Sequence, residues 1–182
     1  ATSILMSERP TVDSVMKVIR KKKPTLFFGV PTLYASLLKE NLNKNDFSSL
    51  RLGISAGEAL PAHLYKKLLS NFSLKVLDGI GTTEMLHMFI SNRINKIFPG
   101  STGMLVPGYK ARLIKDDGTT ANNNEIGELE INGPSSAIGY WNKQEKTENT
   151  FLQSFSELHH QVRGLLVCYG FVSHFYLLSK KA

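Results

Sequence analysis

The sequence predicts an α/β fold in which a layer of parallel strands and helices is followed by an antiparallel β module. In the first half of the chain, short apolar segments alternate with amphipathic helical segments. Two polar segments that contain glycine follow two of the predicted strands. From about residue 100 the helical period is replaced by extended segments that are joined by a turn.

Three helices are predicted in the first half, and each begins beside a proline, whose fixed φ suits the first turn of a helix. They are expected at residues 11–22, from residue 31 onward, and at residues 61–72. The first helix carries Val12, Val15, Met16 and Ile19 at helical spacing, and Pro24 ends it. These positions give the helix one apolar face for packing.

Strands are predicted at residues 25–30, 50–55 and 74–77, and the first should be buried because it is apolar and aromatic. Strands that alternate with helices are expected to run parallel, joined by right-handed crossovers. Ligands of such sheets bind beyond the carboxyl ends of the strands. The segments at residues 55–59 and 78–84 fall there and are predicted to be ligand-binding loops.

The second half predicts strands at residues 109–115 and 127–132, with a hairpin turn at Asp117 and Gly118. Residues 164–178 are mostly apolar and aromatic. This stretch has about fifteen residues, whereas a membrane-spanning helix needs about twenty. We therefore expect a buried segment or a non-native tail, and no membrane span.

Composition excludes several classes of protein. The apolar fraction of 42% is enough for a core, and the single cysteine, Cys168, excludes an internal disulfide framework and a cysteine zinc site. The net charge of +7 is explained by cations at a helix end, at Lys21, Lys22 and Lys23, so no nucleic-acid partner is expected. The chain begins with Ala1 and shows no signal peptide, which favours a cytoplasmic piece of a longer protein.

The segment at residues 78–84 has the residue types of a phosphate site. Gly79 and Gly81 allow a ligand to approach the backbone, and Thr82 and Thr83 offer hydroxyl and N–H groups to phosphate oxygens. Glu84 supplies an oxygen ligand suited to Mg²⁺. From spacing alone, a strand-to-helix turn with threonine at the N-cap explains the segment equally well.

Two further residues admit more than one interpretation. Ser55 lies in a G-x-S-x-G pattern after a strand, which is typical of a serine hydrolase nucleophile. The following helix begins late, at Pro61, and no acid and histidine pair stands out downstream. His87 lies among apolar neighbours, which favours a structural role over orientation of a carboxylate. A serine hydrolase and a non-catalytic nucleotide-binding module both remain open alternatives.

Five ordered blocks resemble the acyl-adenylate-forming superfamily of acyl-CoA synthetases, adenylation domains and luciferases. They lie at residues 28–34, 55–61, 78–92, 100–109 and 127–141. The block at 78–92, DGIGTTEMLHMFISN, resembles the benzoate-CoA ligase group in particular. The resemblance implies that residues 1–152 are a partial AMP-binding domain, a fragment of the large N-terminal domain of such an enzyme. Another enzyme of the superfamily, such as a fatty acyl-CoA synthetase, is the alternative.

This resemblance implies a two-step reaction. ATP and an aryl carboxylate give an acyl-adenylate and pyrophosphate, and the thiol of CoA then displaces AMP. By position in the family pattern, Thr83 contacts the α-phosphate and Glu84 binds Mg²⁺, and these two are the catalytic residues. The nucleotide-binding residues implied are Gly57, Glu58, Ala59, Asp78, Gly79, Ile80, Gly81, Thr82 and Thr83, with Asp78 accepting from the exocyclic amine of adenine.

The aryl acid would contact Gly81, His87 and Met88, with His87 near its carboxylate. Many relatives carry an aromatic residue where Ile80 stands, so contact with adenine there would be apolar only. The resemblance breaks near Leu152, and residues 153–182 do not follow the family pattern, which suggests a frameshifted end. The family's lysine-bearing segments are not in this sequence, so we expect the chain alone to be inactive. The acid and the oligomeric state are not specified by the sequence.

Overall fold

The computed structural model describes residues 2–122, 125–153 and 160–166, with side chains described through residue 151. The helices are α1 (Val12–Lys22), α2 (Pro31–Leu37), α3 (Ala62–Phe72) and α4 (Gln144–Thr150). The strands are β1 (Leu26–Gly29), β2 (Leu52–Ser55), β3 (Val76–Gly81), β4 (Met88–Ser91), β5 (Met104–Leu105), β6 (Lys110–Ile114), β7 (Gly127–Asn132), β8 (Phe151–Gln153) and β9 (His160–Leu166). Two 3₁₀ turns are found at Lys44–Phe47 and Thr83–Met85.

The strands form two sheets within the described ranges. The first has the order β1-β2-β3-β4-β5, with β1, β2 and β3 parallel and β4 and β5 antiparallel to their neighbours. The second is antiparallel and has the order β6-β7-β9-β8. The predicted α/β layer followed by an antiparallel module is confirmed. The antiparallel pairing begins earlier than expected, because β4 and β5 belong to the first sheet.

The carboxyl ends of β1 and β2 lie side by side with the middle of β3. Gly29 is paired with Ser55, and Ser55 is paired with Asp78. β3 then continues for three more residues, to Gly81. The two polar segments predicted to share one edge of the sheet are therefore neighbours in space.

The burial of β1 differs from the prediction. Its residues alternate between exposed and half-buried, and the side chain of Phe28 is 61% exposed. Within the described chain β1 is an edge strand, and only one of its faces packs against the helices through Phe27. An apolar composition predicted burial on both faces, but composition does not show which strands lie at an edge.

Among the described residues, two hydrophobic clusters hold the elements together. The larger one lies between the helices and the parallel strands, and α1 enters it with Val15, Met16 and Ile19. The smaller one joins β4 to the second sheet, and its buried residues are Met85, Phe89, Ile90, Leu113, Leu129, Ile131 and Phe151. The second cluster fixes the antiparallel module against the turn that follows β3.

Part of the apolar tail pairs with this module. β9 includes residues 164–166 and runs antiparallel to β7. The rest of the predicted tail segment, from residue 167 to 178, lies outside the described residues. Among the helices that the structure describes, none combines the length and the apolar character needed to cross a membrane.

Tyr34 connects a helix to two parallel strands. Its hydroxyl lies 3.1 Å from the carbonyl oxygens of Phe27 and Ile54 and donates to them. We expect Tyr34→Phe to lower the free energy of unfolding by about 1–3 kcal/mol, because strand carbonyls are left without this donor. Urea denaturation followed by circular dichroism measures the change.

The matched control is Tyr65→Phe, since Tyr65 is buried in the same cluster and its hydroxyl makes no hydrogen bond to the described residues. Its unfolding free energy should change by less than about 0.5 kcal/mol. Equal losses in the two variants would show that the hydrogen bonds of Tyr34 do not contribute.

Candidate functional site

The segment at residues 78–84 is only partly a loop. β3 runs through Gly81, a 3₁₀ turn follows at Thr83–Met85, and β4 then returns antiparallel. The alternative prediction of a helix after this turn is wrong. β4 pairs with the glycine-containing end of β3, so the backbone there has strand partners.

The two glycines of β3 are required by the chain itself. A Cβ atom at Gly79 would overlap the sulfur of Met88 and the carbonyl oxygen of Ile90, and one at Gly81 would overlap the carbonyl oxygen of His87. β4 can therefore pack closely on β3 only because these positions lack side chains. The prediction attributed both glycines to close approach of a ligand, and the structure gives them this additional role.

Asp78 is a buried carboxylate with one oxygen unpaired. Its Oδ2 accepts a hydrogen bond from the backbone N–H of Leu60 at 3.1 Å. Its Oδ1 and the Oγ of the neighbouring Ser55 are both buried and have no hydrogen-bond partner among the described residues. Burial raises the pKa of Asp78 to about 7, although the N–H groups of Leu60 and Gly79 lower it.

The segment between Ser55 and Leu60 is exposed and lies beside Asp78. Gly57, Glu58 and Ala59 are exposed, and Gly57 has a φ of +90°, which favours glycine. The bond from Leu60 to Asp78 holds the end of this segment at the middle of β3. The structure thus brings the predicted adenine-contacting residues next to the predicted acceptor.

Asn92 braces the same region and had no predicted role. Its backbone N–H donates to the carbonyl of Asp78 at 3.0 Å, and its Oδ1 accepts from the N–H of Phe98 at 2.8 Å. Its side-chain amide also donates to the carbonyl of Ser101 at 2.5 Å. Asn92 is buried, and these bonds fix the backbone behind Asp78.

The three residues predicted to bind phosphate and metal lie on the 3₁₀ turn. The Thr82 hydroxyl accepts from the N–H of Met85 at 3.3 Å and so caps the turn, while Thr83 is exposed. Glu84 is half-buried, and its Oε1 accepts a hydrogen bond from the hydroxyl of Tyr140. Ile80 is half-buried and packs against the smaller hydrophobic cluster.

The charge state of Glu84 follows from these neighbours. Burial raises the pKa of its carboxyl, but hydrogen bonds from Tyr140, from its own backbone N–H and from Thr82 lower it, as does the Lys146 ammonium. The net pKa lies below its usual value, so the carboxylate is ionised at neutral pH. An ionised carboxylate beside exposed backbone is suited to a divalent cation that also binds phosphates.

His87 lies after the turn, on the approach to β4, and not on a helix. Its ring is exposed and faces the edge of the Phe28 ring, with centroids 6.5 Å apart at 80°. Met88 is paired with Gly81 across the strands. The predicted aryl-acid residues Gly81, His87 and Met88 are therefore adjacent. Phe28 was missed because its contact with His87 depends on strand order.

Ser55 does not have the environment of a hydrolase nucleophile. Its side chain is fully buried, with 0% exposure, and the following helix begins only at Ala62. Its Oγ makes no hydrogen bond to any histidine within the described residues. Among all the residues that the structure describes, no cluster of three or more His, Cys, Asp or Glu residues could hold a metal.

Comparison with known proteins gives consistent matches. Residues 1–141 match the family model described as AMP-binding enzyme. The chain is 49% identical over 156 residues to a benzoate–CoA ligase of Thauera aromatica, which covers 84% of this chain and 29% of that protein. A 4-hydroxybenzoate–CoA/benzoate–CoA ligase of Rhodopseudomonas palustris is 44% identical, with the same coverage of 84% and 29%. The chain therefore spans less than a third of these relatives.

Solved structures agree with the sequence matches. A benzoate CoA ligase from Burkholderia xenovorans LB400 superposes with a TM-score of 0.85 at 41% identity. The match covers 93% of this chain and 34% of that chain. The fold of the segment is thus the fold of the corresponding part of that protein.

The raised pKa of Asp78 predicts a pH-dependent stability. Because the folded state holds this proton up to about pH 7 and the unfolded state releases it near the ordinary value of 3.8, the carboxyl favours folding most at low pH. This contribution is lost as the pH rises from about 4 to about 7, and amounts to about 4 kcal/mol at most, at about 1.4 kcal/mol per pKa unit.

Asp78→Asn keeps an acceptor for the N–H of Leu60 and removes the titration. We expect urea midpoints of this variant to change little between pH 4.5 and pH 8, whereas those of the wild type fall. Asp116→Asn removes an exposed carboxylate of the hairpin turn and should keep the slope of the wild type. A wild-type slope that persists in Asp78→Asn would contradict the assignment.

A fluorophosphonate probe distinguishes a hydrolase from the other classes. We expect no covalent label on Ser55 in the folded chain, because its hydroxyl is buried and lacks a base. Mass spectrometry of peptides after exposure to the probe is the measurement. A label on Ser55 that Ser55→Ala removes would restore the hydrolase hypothesis.

Proposed function

The chain belongs to the AMP-binding enzyme family, and we propose that it is a segment of an ATP-dependent aryl-carboxylate CoA ligase. Such an enzyme joins the carboxylate to AMP, releases pyrophosphate, and then transfers the acyl group to the thiol of CoA. The chain spans 29% of the length of the Thauera aromatica ligase, so the whole activity is proposed for a protein that contains this segment. Turnover by the isolated segment is not part of the proposal.

The observation that carries the proposal is the unpaired Oδ1 of Asp78. A buried carboxylate oxygen without a partner is costly unless a ligand supplies the missing donor. The exocyclic amine of adenine is such a donor. Gly57, Glu58 and Ala59, exposed beside Asp78, would then contact the ring.

Phosphate and metal would bind at the 3₁₀ turn. Thr83 is exposed and would reach the α-phosphate, and Glu84 would bind Mg²⁺. The donor set fits this ion, since Mg²⁺ in nucleotide sites takes one or two carboxylates with phosphate oxygens and water. The ion would offset the negative charge that develops on the α-phosphate during attack by the carboxylate. Thr82 would hold the turn in place, because its hydroxyl caps it.

The aryl acid would lie beside His87, Met88 and Gly81. Gly81 and Met88 are paired across the strands, and the thioether of Met88 would give the ring apolar contact. The imidazole of His87 would face the carboxylate of the acid. Phe28, whose ring approaches His87 edge-on, would limit the positions that the imidazole adopts.

Nucleotide selectivity tests the role of Asp78. At pH 8 the carboxylate of Asp78 accepts from the amine of adenine but opposes the carbonyl oxygen that guanine carries at the same position. We expect the chain to bind ATP with Mg²⁺ at least about tenfold more tightly than GTP, which corresponds to about 1.4 kcal/mol. Asp78→Asn should remove most of this preference, since an amide can donate to guanine. Isothermal calorimetry measures both affinities.

The role of Glu84 is tested in the same experiment. Glu84→Gln should raise the Mg²⁺ concentration needed for ATP binding, while Glu145→Gln, an exposed carboxylate at the start of α4, should not. Equal affinity of the wild type for ATP and GTP, or the absence of nucleotide binding, would contradict the proposed function.

A further inference from the structure

The turn that carries Glu84 is held by a segment of the antiparallel module. The N–H of Ala137 donates to the carbonyl of Glu84 at 2.7 Å, and the hydroxyl of Ser135 donates to the carbonyl of Met85 at 2.7 Å. The hydroxyl of Tyr140 donates to Oε1 of Glu84. Three hydrogen bonds from one short segment, residues 135–140, thus reach the backbone and the side chain of the turn.

Tyr140 is itself fixed on three sides. Its backbone N–H donates to Oγ1 of Thr147 at 2.9 Å, and its ring meets the ring of Phe151 edge-on, with centroids 5.4 Å apart. The ammonium of Lys146 lies 4.5 Å from the centroid of the same ring. The Tyr140 hydroxyl is therefore placed by the packing of its ring and backbone, and not by its bond to Glu84 alone.

Gly139 allows this placement. A Cβ atom at Gly139 would overlap the side chain of Thr147, the residue that accepts from the N–H of Tyr140. The segment can therefore pass close to α4 only without a side chain at this position. The other end of the segment is braced by the Tyr109 hydroxyl, which lies 2.6 Å from the hydroxyl of Ser135.

We propose that Tyr140 is a positioning residue, which orients the Glu84 carboxylate for a Mg²⁺–nucleotide complex. This inference rests on the proposed function for the metal role of Glu84. A neutral donor on Oε1 restricts the rotation of a flexible side chain and leaves its full negative charge for the cation. Hydrogen bonds to carboxylates that bind metals are typically worth about 10- to 100-fold in metal affinity.

The test is Tyr140→Phe, which keeps the ring contacts and removes only the hydroxyl. The Mg²⁺ concentration that half-saturates ATP binding, measured by calorimetry on the whole chain, should rise about tenfold. The affinity for ATP without Mg²⁺ should stay within about twofold of that of the wild type, since the variant loses nothing that contacts the nucleotide. An unchanged or lowered Mg²⁺ requirement would overturn the proposal.

The same substitution made in the Glu84→Gln variant shows whether Tyr140 acts through Glu84. In Glu84→Gln the further change Tyr140→Phe should have no additional effect on the Mg²⁺ requirement, because the carboxylate that it orients is gone. The control is Trp141→Phe, since Trp141 is the adjacent aromatic residue and is 90% exposed. It should behave as the wild type, and a tenfold shift in this control would overturn the proposal.

A measurement without metal separates this inference from the proposed function. The ¹³C shift of the Glu84 side-chain carboxylate in the metal-free chain should move in Tyr140→Phe and not in Trp141→Phe. Mg²⁺-dependent ATP binding that Glu84→Gln weakens and Tyr140→Phe leaves intact would uphold the proposed function and overturn the inference. A wild type without Mg²⁺-dependent binding would overturn both.

Discussion

The close pairing of β3 and β4 is the constraint on which the candidate site depends. β3 is parallel to β2 on one side and antiparallel to β4 on the other, so it joins the two kinds of pairing in one sheet. Gly79 and Gly81 permit this because β4 occupies the space where their side chains would be. The 3₁₀ turn between the two strands is consequently short, and it holds Thr82, Thr83 and Glu84 just beyond the carboxyl end of β3. The proposed metal ligand, the proposed phosphate contact and the proposed aryl-acid residues are all positioned by this one pairing.

The buried side chains of Asn92 and Asp78 differ in how fully they are hydrogen-bonded. Asn92 uses its backbone and its side chain in bonds to Asp78, Phe98 and Ser101, which makes the support of the edge rigid. Asp78, by contrast, is left with one oxygen unpaired, and burial of that oxygen raises its pKa. A buried acceptor that is left unpaired in a rigid site is suited to a ligand that donates a hydrogen bond from one fixed position. The free energy of unfolding near neutral pH is therefore lower than it would be if the carboxyl of Asp78 kept its ordinary pKa.

Much of this arrangement follows from local sequence patterns. Proline positions and apolar spacing predicted α1, α2 and α3 closely, and the order of the elements predicted that residues 55–59 and 78–84 meet. Long-range features could not be predicted in this way. Gly79 and Gly81 indicated a loop, whereas pairing with β4 makes residues 78–81 extended. The exposure of β1 depends on its place at a sheet edge, and the contact of Phe28 with His87 depends on strand order. Tyr140 lies 56 residues from Glu84, a separation that no periodicity reports.

That separation has a consequence for how the site forms during folding. The bond between Tyr140 and Glu84 closes a long loop, and the entropy of closing it must be offset by contacts made at the same time. Those contacts lie in the smaller hydrophobic cluster, where Met85 and Phe89 pack with Leu113, Leu129 and Phe151. The β3–β4 hairpin can form locally, but its glutamate acquires a fixed orientation only when the antiparallel module docks on it. The proposed affinity for a divalent cation would therefore be acquired late in folding, and would report on the docking of one half of the chain against the other.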